Sequence, residues 1–297
     1  MNTLPRHKKV LIIRCLTEGM SLRAVARIAD VSRNTVAKLL VDAGAACAEY
    51  QDRTLRNLPC RRIQADEIWS FVYAKAKNVH RAKSAPPEAG DVWTWTAICA
   101  DTKLVPSWRL GDRSAGTALD FMDDLKGRLA NRVQLTTDGH RAYLEAVEEA
   151  FGADVDYAML VKLYGKAGDE RNPETRYSPS ECTGTKREVI EGDPDDKHVS
   201  TSYVERQNLT MRMSMRRFTR LTNAFSKRLE YLSASVALHF MHYNFCRIHQ
   251  TLRVTPAMEA GVTDRLWEIS DIVDLVDAAA PKPNRPATYR KRGEISN

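Results

Sequence analysis

The sequence predicts an α/β protein: a mixed five-stranded sheet with flanking helices, preceded by an all-α N-terminal domain. Three features point to this class. The first 50 residues space their apolar side chains at helical intervals behind two capping serines. Residues 63–163 alternate aromatic and β-branched runs with helical stretches. At 297 residues the chain suits about two domains of roughly 150 residues each. A hydrophobic fraction of 43% beside 28% charged residues is enough for a sizeable core and excludes wholesale disorder. No apolar run approaches the roughly 18 residues of a membrane span, so no membrane partner is expected. Met1 to Lys9 is polar and basic, which predicts no secretory signal. Six scattered cysteines without a Cys-x-x-Cys pair argue against a zinc ribbon and a disulfide framework, and for a reducing compartment.

Taken in order, residues 8–18 predict a short helix closed by Gly19. Ser21 caps a second stretch with Leu22, Val25, Ala26 and Ile28 inward. After a turn at Asp30-Val31, Ser32 caps a third, carrying Val36, Leu39 and Leu40. Two short helices around a tight turn make a helix-turn-helix. Arg33, Asn34 and Lys38 then stand at or near the exposed start of the second helix, where side chains reach base edges; a plain helical packing module is the alternative. A polar, Arg-rich linker follows over 51–62. Strands are expected at 63–74, 92–100 and 104–110, the last two joined by a turn at Asp101-Thr102-Lys103. A helix at 114–129, a strand at 133–137, a helix at about 141–150 and a strand at 155–163 complete the series. Three strands, helix, strand, helix, strand, helix is the element order of the RNase H-like fold. Residues 164–199 read as an irregular insertion inside a domain spanning 63–260. Two long helices are expected at about 202–218 and 226–246, a helical segment at 261–280, and a disordered basic tail at 281–297.

The net charge of +7 is segregated. Residues 1–65 hold 12 Lys/Arg against 5 Asp/Glu, whereas 66–204 hold 18 against 24. Residues 205–228 hold 7 against 1, residues 229–280 hold 3 against 7, and the tail holds 5 against 1. Basic blocks flanking an acidic middle would draw a polyanion such as DNA; solvated surface charge is more often mixed in sign.

Three carboxylates fall where the expected fold would unite them: Asp66 in the first strand, Asp138 ending the fourth, and Glu205 opening the helix after the insertion. Magnesium takes oxygen ligands from a few carboxylates, and a metal pair promotes in-line phosphoryl displacement. Without a cation, three close carboxylates would not all stay ionised. Each acid also has a plainer reading. Glu67 rivals Asp66, with strand alternation sending the two to opposite faces. Asp138-Gly139 is an ordinary turn pair, and Ser202-x-x-Glu205 fits a capping box. At helical spacing Glu205, Asn208, Arg212 and Arg216 share one face, which would set phosphate-binding forks beside a metal site. Val204, Met211, Met215 and Phe218 share another, suited to the core.

Several strings together resemble the DDE transposases of bacterial insertion sequences, most closely those of the insertion-sequence-one type. They are Ala65-Asp66-Glu67-Ile68-Trp69-Ser70-Phe71-Val72, Thr137-Asp138-Gly139-His140-Arg141-Ala142-Tyr143, and Glu205-Arg206-Gln207-Asn208 with Arg212 beyond. Thr219 to Lys227, and Tyr243 to Leu252 leading to Thr255-Pro256-Ala257, belong to the same pattern, which covers roughly residues 20–260. The resemblance implies an RNase H-like catalytic domain with Asp66, Asp138 and Glu205 as ligands of two Mg2+ ions (Mn2+ as a substitute), Asp66 bridging them. It implies hydrolysis of a phosphodiester at each element end, then attack of the freed 3′-hydroxyl on target DNA. The partners implied are double-stranded DNA and further copies of the chain, in a bacterial, cytoplasmic, nucleoid-associated setting. Asn208 and Arg212 would support the site or hold phosphates; for Arg247 and His249, packing and DNA contact are both open. A DNA-binding regulator with an inactive second domain, and an integrase or nuclease of the same fold, are the alternatives.

Overall fold

The computed structural model describes residues 4–165, 182–219 and 223–280. In chain order the elements are α1 (Arg6–Thr17), α2 (Leu22–Ala29), α3 (Arg33–Thr54), β1 (Arg62–Val72), α4 (Ala76–Val79), β2 (Gly90–Cys99), β3 (Ser107–Gly111) and α5 (Ala115–Lys126). They continue with β4 (Val133–Asp138), α6 (Ala142–Phe151), β5 (Val155–Tyr164), β6 (Cys182–Glu191), α7 (Ser202–Ser214), α8 (Leu229–Met241), α9 (Pro256–Glu259) and α10 (Ile269–Ala279). The sheet runs β3-β2-β1-β4-β5-β6. β1 pairs antiparallel with β2 and parallel with β4, β4 parallel with β5, and β3 and β6 lie antiparallel on the two edges.

The sheet therefore has six strands, not the expected five. The extra strand, β6, lies inside the stretch expected to be an irregular insertion. Its residues are exposed or half-exposed throughout, so no inward-facing apolar alternation marks it in the sequence. Its run of Lys186, Arg187 and Glu188 gives a charged edge of the kind that discourages pairing with another chain. The rest of that insertion, residues 166–181, and the tail at 281–297 lie outside the described residues.

Alternation along β1 separates two layers. Ile63 and Ala65 face α5 and α6, joining Phe121, Met122, Leu125, Tyr143 and Val147. Ile68 and Val72 face α7 and α8, joining Val204, Met211, Leu232, Val236 and Phe240. α8 is buried on nearly every side because its opposite face, with Ala234, Ala237, Leu238 and Met241, belongs to the core that also holds Ile12, Ile13, Val36 and Leu40 of the N-terminal helices and Ile272 and Val273 of α10. A helix apolar all round suits this position between two layers.

The N-terminal helices begin as the caps predict: Ser21 accepts from Ala24 N and Ser32 from Thr35 N, and Asp30 takes the left-handed conformation (φ 49°) between them. The expected boundary at residue 50 falls inside α3, which continues to Thr54 and so enters the expected linker. Downstream, both long helices end early. α7 stops at Ser214, and Met215 turns extended (φ −125°, ψ 105°) into a 3-10 turn at Arg216–Phe218, burying Met215 and Phe218. α8 gives way after Met241 to a π turn, His242–Cys246, in which buried Asn244 grips Val105: Oδ1 accepts from its N–H at 3.0 Å and Nδ2 donates to its carbonyl at 2.9 Å. Gly44 on α3 lies so close to Ala234 that a Cβ would overlap the α8 backbone. Gly44→Ala should therefore destabilise the protein by about 1–3 kcal/mol and lower Tm by roughly 2–10 °C in a thermal melt; an unchanged Tm would contradict this close crossing.

Candidate active site

Pairing between β1 and β4 stops at Ala65 and Thr137, and β4 ends one residue later at Asp138. Beyond that point β1 runs on without its neighbour, leaving a gap at the carboxyl end of two parallel strands. Asp66, Glu67 and Asp138 meet there, each offering a carboxylate oxygen within 4.8 Å of the others. Alternation does send Asp66 and Glu67 to opposite faces, yet past the end of β4 a carboxylate oxygen of each still comes within 4.8 Å of the other and of Asp138. Of the expected trio, Asp66 and Asp138 are thus together, and Glu67, weighed only as a rival to Asp66, joins them.

The surroundings fix each acid differently. Asp66 Oδ1 accepts from the Glu67 amide at 2.8 Å, and Oδ2 from Asn208 Nδ2 at 2.8 Å. Asp138 Oδ1 accepts from the His140 amide at 3.0 Å, a local turn bond. Glu67 Oε1 accepts from Arg113 at 2.6 Å and Oε2 from the Tyr143 hydroxyl at 3.1 Å. Burial pushes the Asp66 carboxyl up to about 7, with Asp138, Glu67 and Glu205 adding like charge and the Glu67 amide opposing. The Glu67 carboxyl is raised by burial and by Asp138, against the pull of Arg113 and Tyr143.

Glu205 approaches from α7. Its Oε1 pairs with Lys162 of β5 at 2.6 Å and accepts from the Thr201 hydroxyl. It lies outside the tight group of three, although its charge is felt at Asp66. The alternative role as a capping-box acid is not what the helix start uses. Gln64 of β1, buried two residues before Asp66, accepts instead from the amides of Tyr203 and Val204 at 2.8 and 3.2 Å. β1 thereby caps the helix that carries Glu205.

The remaining expected positions disperse. Asn208, expected on a phosphate-facing stripe, is buried against Asp66 because α7 turns Val204, Gln207, Asn208 and Met211 inward. Arg212 is half-buried on the same helix. Arg216 leaves the stripe altogether, since α7 breaks before it. It lines a cleft of about 890 Å³ together with Arg33 and Asn34 from the start of α3. Lys38 lies one turn further along α3, paired with Asp42. Arg247 is exposed, and His249 is half-buried with Nδ1 unpartnered among the described residues. Sequence reasoning missed Arg113, Lys162, Thr201 and Gln64: each is an ordinary polar residue whose place depends on tertiary packing. Tyr143 carried a signal, its position in the string that begins at Thr137-Asp138.

The chemistry of the donors suits a hard divalent cation. All are oxygens, crowded enough that one carboxyl titrates near neutrality, and Asn208 Oδ1 is buried without a partner among the described residues. Asp66 and Asp138 are the residues that would hold such an ion, with Glu67 or Glu205 completing the set.

No protein family and no curated protein matches the sequence. Among solved structures the chain is similar to a piggyBac transposase in a synaptic complex with hairpin DNA, at 10% identity and a TM-score of 0.36, covering 92% of this chain and 70% of that one. It is also similar to a Mos1 transpososome before cleavage, at 13% identity and a TM-score of 0.20, covering 53% of this chain and 60% of that one. None of the described helices is long and apolar enough to cross a membrane.

A carboxyl whose pKa is raised by folding favours the native state most below its unfolded value of 3.8, and that contribution is lost as pH rises through about 7. A divalent cation replaces the proton and is bound better as pH rises. The increase in Tm on adding Mg2+ or Mn2+ should accordingly grow from pH 5.5 to pH 8, and shrink in Asp66→Asn. A metal effect on Tm that is flat across this range would count against the site.

Proposed function

We propose that this chain is a metal-dependent DNA transposase of the DDE kind, related to the insertion-sequence-one type, in which Asp66, Asp138 and Glu205 are the catalytic acids. The observation that carries the reading is the meeting of Asp66 and Asp138 where the parallel pairing of β1 with β4 ends, with the Glu205 helix capped by β1 beside them. The sheet supports it: β3-β2-β1-β4-β5, with β1, β4 and β5 parallel, is the strand order of the RNase H-like fold.

Bound Mg2+ or Mn2+ would lower the pKa of an attacking water and stabilise the leaving oxygen of an in-line displacement. The chain's own residues provide the setting. Asn208 orients Asp66 by donating to Oδ2, and the His140 amide orients Asp138. Arg113 and Tyr143 orient Glu67 by donating to its two oxygens beside Asp138. Lys162 holds Glu205 in a pair whose side chains are 29% and 40% exposed. Such a pair is worth about 1 kcal/mol or less, so it would be a small obstacle to Glu205 helping to hold a cation. No protein nucleophile is required, because water attacks first and a DNA 3′-hydroxyl second.

α2 and α3, joined through the left-handed Asp30, form a helix-turn-helix in this reading, with Arg33 and Asn34 at the start of the second helix. Two DNA ends processed together call for at least two copies of the chain. Asp138→Asn removes a ligand while keeping the size and the hydrogen-bonding oxygen. It should reduce strand cleavage by about 10²-fold or more and leave binding to terminal-repeat DNA within about twofold. Full cleavage by this variant refutes the assignment. A wild-type chain that cleaves but never joins a supplied 3′-hydroxyl end to a second duplex is a nuclease instead.

A further inference from the structure

Past Ala65, β1 is paired along one edge only until Val72 bridges Ser226, and it projects beyond the carboxylate cluster. From Glu67 to Tyr73 this is a path of about 20 Å at roughly 3.3 Å per residue. Its residues on the Glu67 face are aromatic and half-exposed: Trp69, then Phe71, then Tyr73. Trp93 lies across from Trp69 on β2, with the Arg113 guanidinium 4.8 Å from its ring centre. Trp69 and Phe71 are 5.6 Å apart between ring centres, and Phe71 and Phe225 are 4.8 Å apart. At the far end Tyr73 holds φ +64°, a conformation costly for a bulky side chain. It is fixed by donation from its amide to Ser226 O at 2.8 Å.

Tyr73 and Phe225 open into the 890 Å³ cleft between the α2–α3 corner and residues 215–217 and 223–231. Six cations line it, Arg23, Arg33, Arg216, Arg217, Lys227 and Arg228, and no carboxylate does among the described residues. Arg217 is the most telling. Burial lowers its pKa to about 10, and among the described residues its guanidinium has the Ser226 hydroxyl at 2.7 Å as partner and no acid. A sheltered guanidinium without a counter-ion calls for an anion. The cleft volume falls within the about 300–1,000 Å³ of pockets for small organic molecules, a size that admits single nucleotides. Stacked rings leading into a groove of cations form the surface that single strands use: every base has a face to stack, and the phosphates meet the arginines.

We propose that the projecting end of β1 and the cleft beyond it hold an unpaired stretch of DNA strand, its bases on Trp69, Phe71 and Phe225 and its phosphates on Arg217 and the neighbouring cations. The site stands on its own rings and charges. Only the identity of this strand, as the one cut at the carboxylates, rests on the transposase reading. The strand would leave the carboxylate cluster along Trp93 and Trp69 and enter the cleft past Tyr73, so a DNA end reaching the acids is unpaired over the last few nucleotides.

The test uses the full chain in EDTA, with fluorescence anisotropy on a labelled single-stranded oligonucleotide, the same sequence as a duplex, and the same sequence as RNA. Tighter binding of the DNA single strand than of duplex or RNA is expected. Trp69→Leu with Phe225→Leu should weaken it by roughly 5- to 100-fold per ring, and Arg217→Gln should weaken it too. Trp69→Phe should retain binding, and duplex binding should change by less than about twofold in all variants. Should the leucine variant unfold in a thermal melt, photocrosslinking of an iodouracil oligonucleotide to the wild-type chain gives the same information, with adducts expected at Trp69, Tyr73 or Phe225. Equal loss of single-strand and duplex binding, tighter binding of RNA, or adducts confined to other regions would overturn the proposal. Metal-dependent cleavage without single-strand preference sinks this inference alone. Single-strand binding through these rings without any cleavage sinks the transposase reading alone.

Discussion

Negative charge gathered in a half-buried corner of the sheet is the constraint around which the molecule is arranged. Three carboxylates share oxygens within a few ångströms, and burial raises the cost of ionising them together. The fold tolerates this because each acid is tied down by a donor from a different element: Asn208 from α7, the His140 amide after β4, Arg113 and Tyr143 around Glu67. β1 supplies two of the acids and also, through Gln64, the cap of the helix that brings Asn208 and Glu205. The position of that helix and the spacing of the acids are therefore set by a single strand.

The reason charge collects at this place is geometric. Parallel pairing sets the middle of β1 beside the carboxyl end of β4, and the early end of β4 leaves an opening that side chains from both faces of β1 can reach. Aromatic rings continue along the unpaired stretch of β1 because an edge with one neighbour missing needs covering, yet here the covering is incomplete and the rings stay half-exposed. Acids, rings and the arginine-lined cleft thus lie in sequence along one strand and the segment bridged to its end.

Much of this was legible in the chain. Ser21, Ser32 and Ser114 cap helices as their positions suggest, and Asp66 and Asp138 sit on the strands that their aromatic and β-branched neighbours foretold. What escaped did so for identifiable reasons. β6 lacks a buried face, so periodicity had nothing to register. The break at Met215, where the backbone turns extended, falls inside a run of good helix formers with no Gly or Pro to announce it. Glu67 keeps to the face that alternation gives it, where Tyr143 holds its carboxylate, and it still comes within reach of Asp138 because that acid ends β4 beside both faces. For Asn208 the sequence leaves support of the site and phosphate contact both open; the packing of α7 onto β1 brings it to Asp66.

The shared core of the N-terminal helices with α8 and α10 bears on how shortened copies of such a gene would behave. A fragment ending near residue 50 would leave Ile12, Ile13, Val36 and Leu40 without their cover, and one starting there would bare Ala237, Leu238 and Met241 to water. Uncovered surfaces of that kind are liable to stick to one another. Truncation at this seam would thus leave apolar surface open on both fragments.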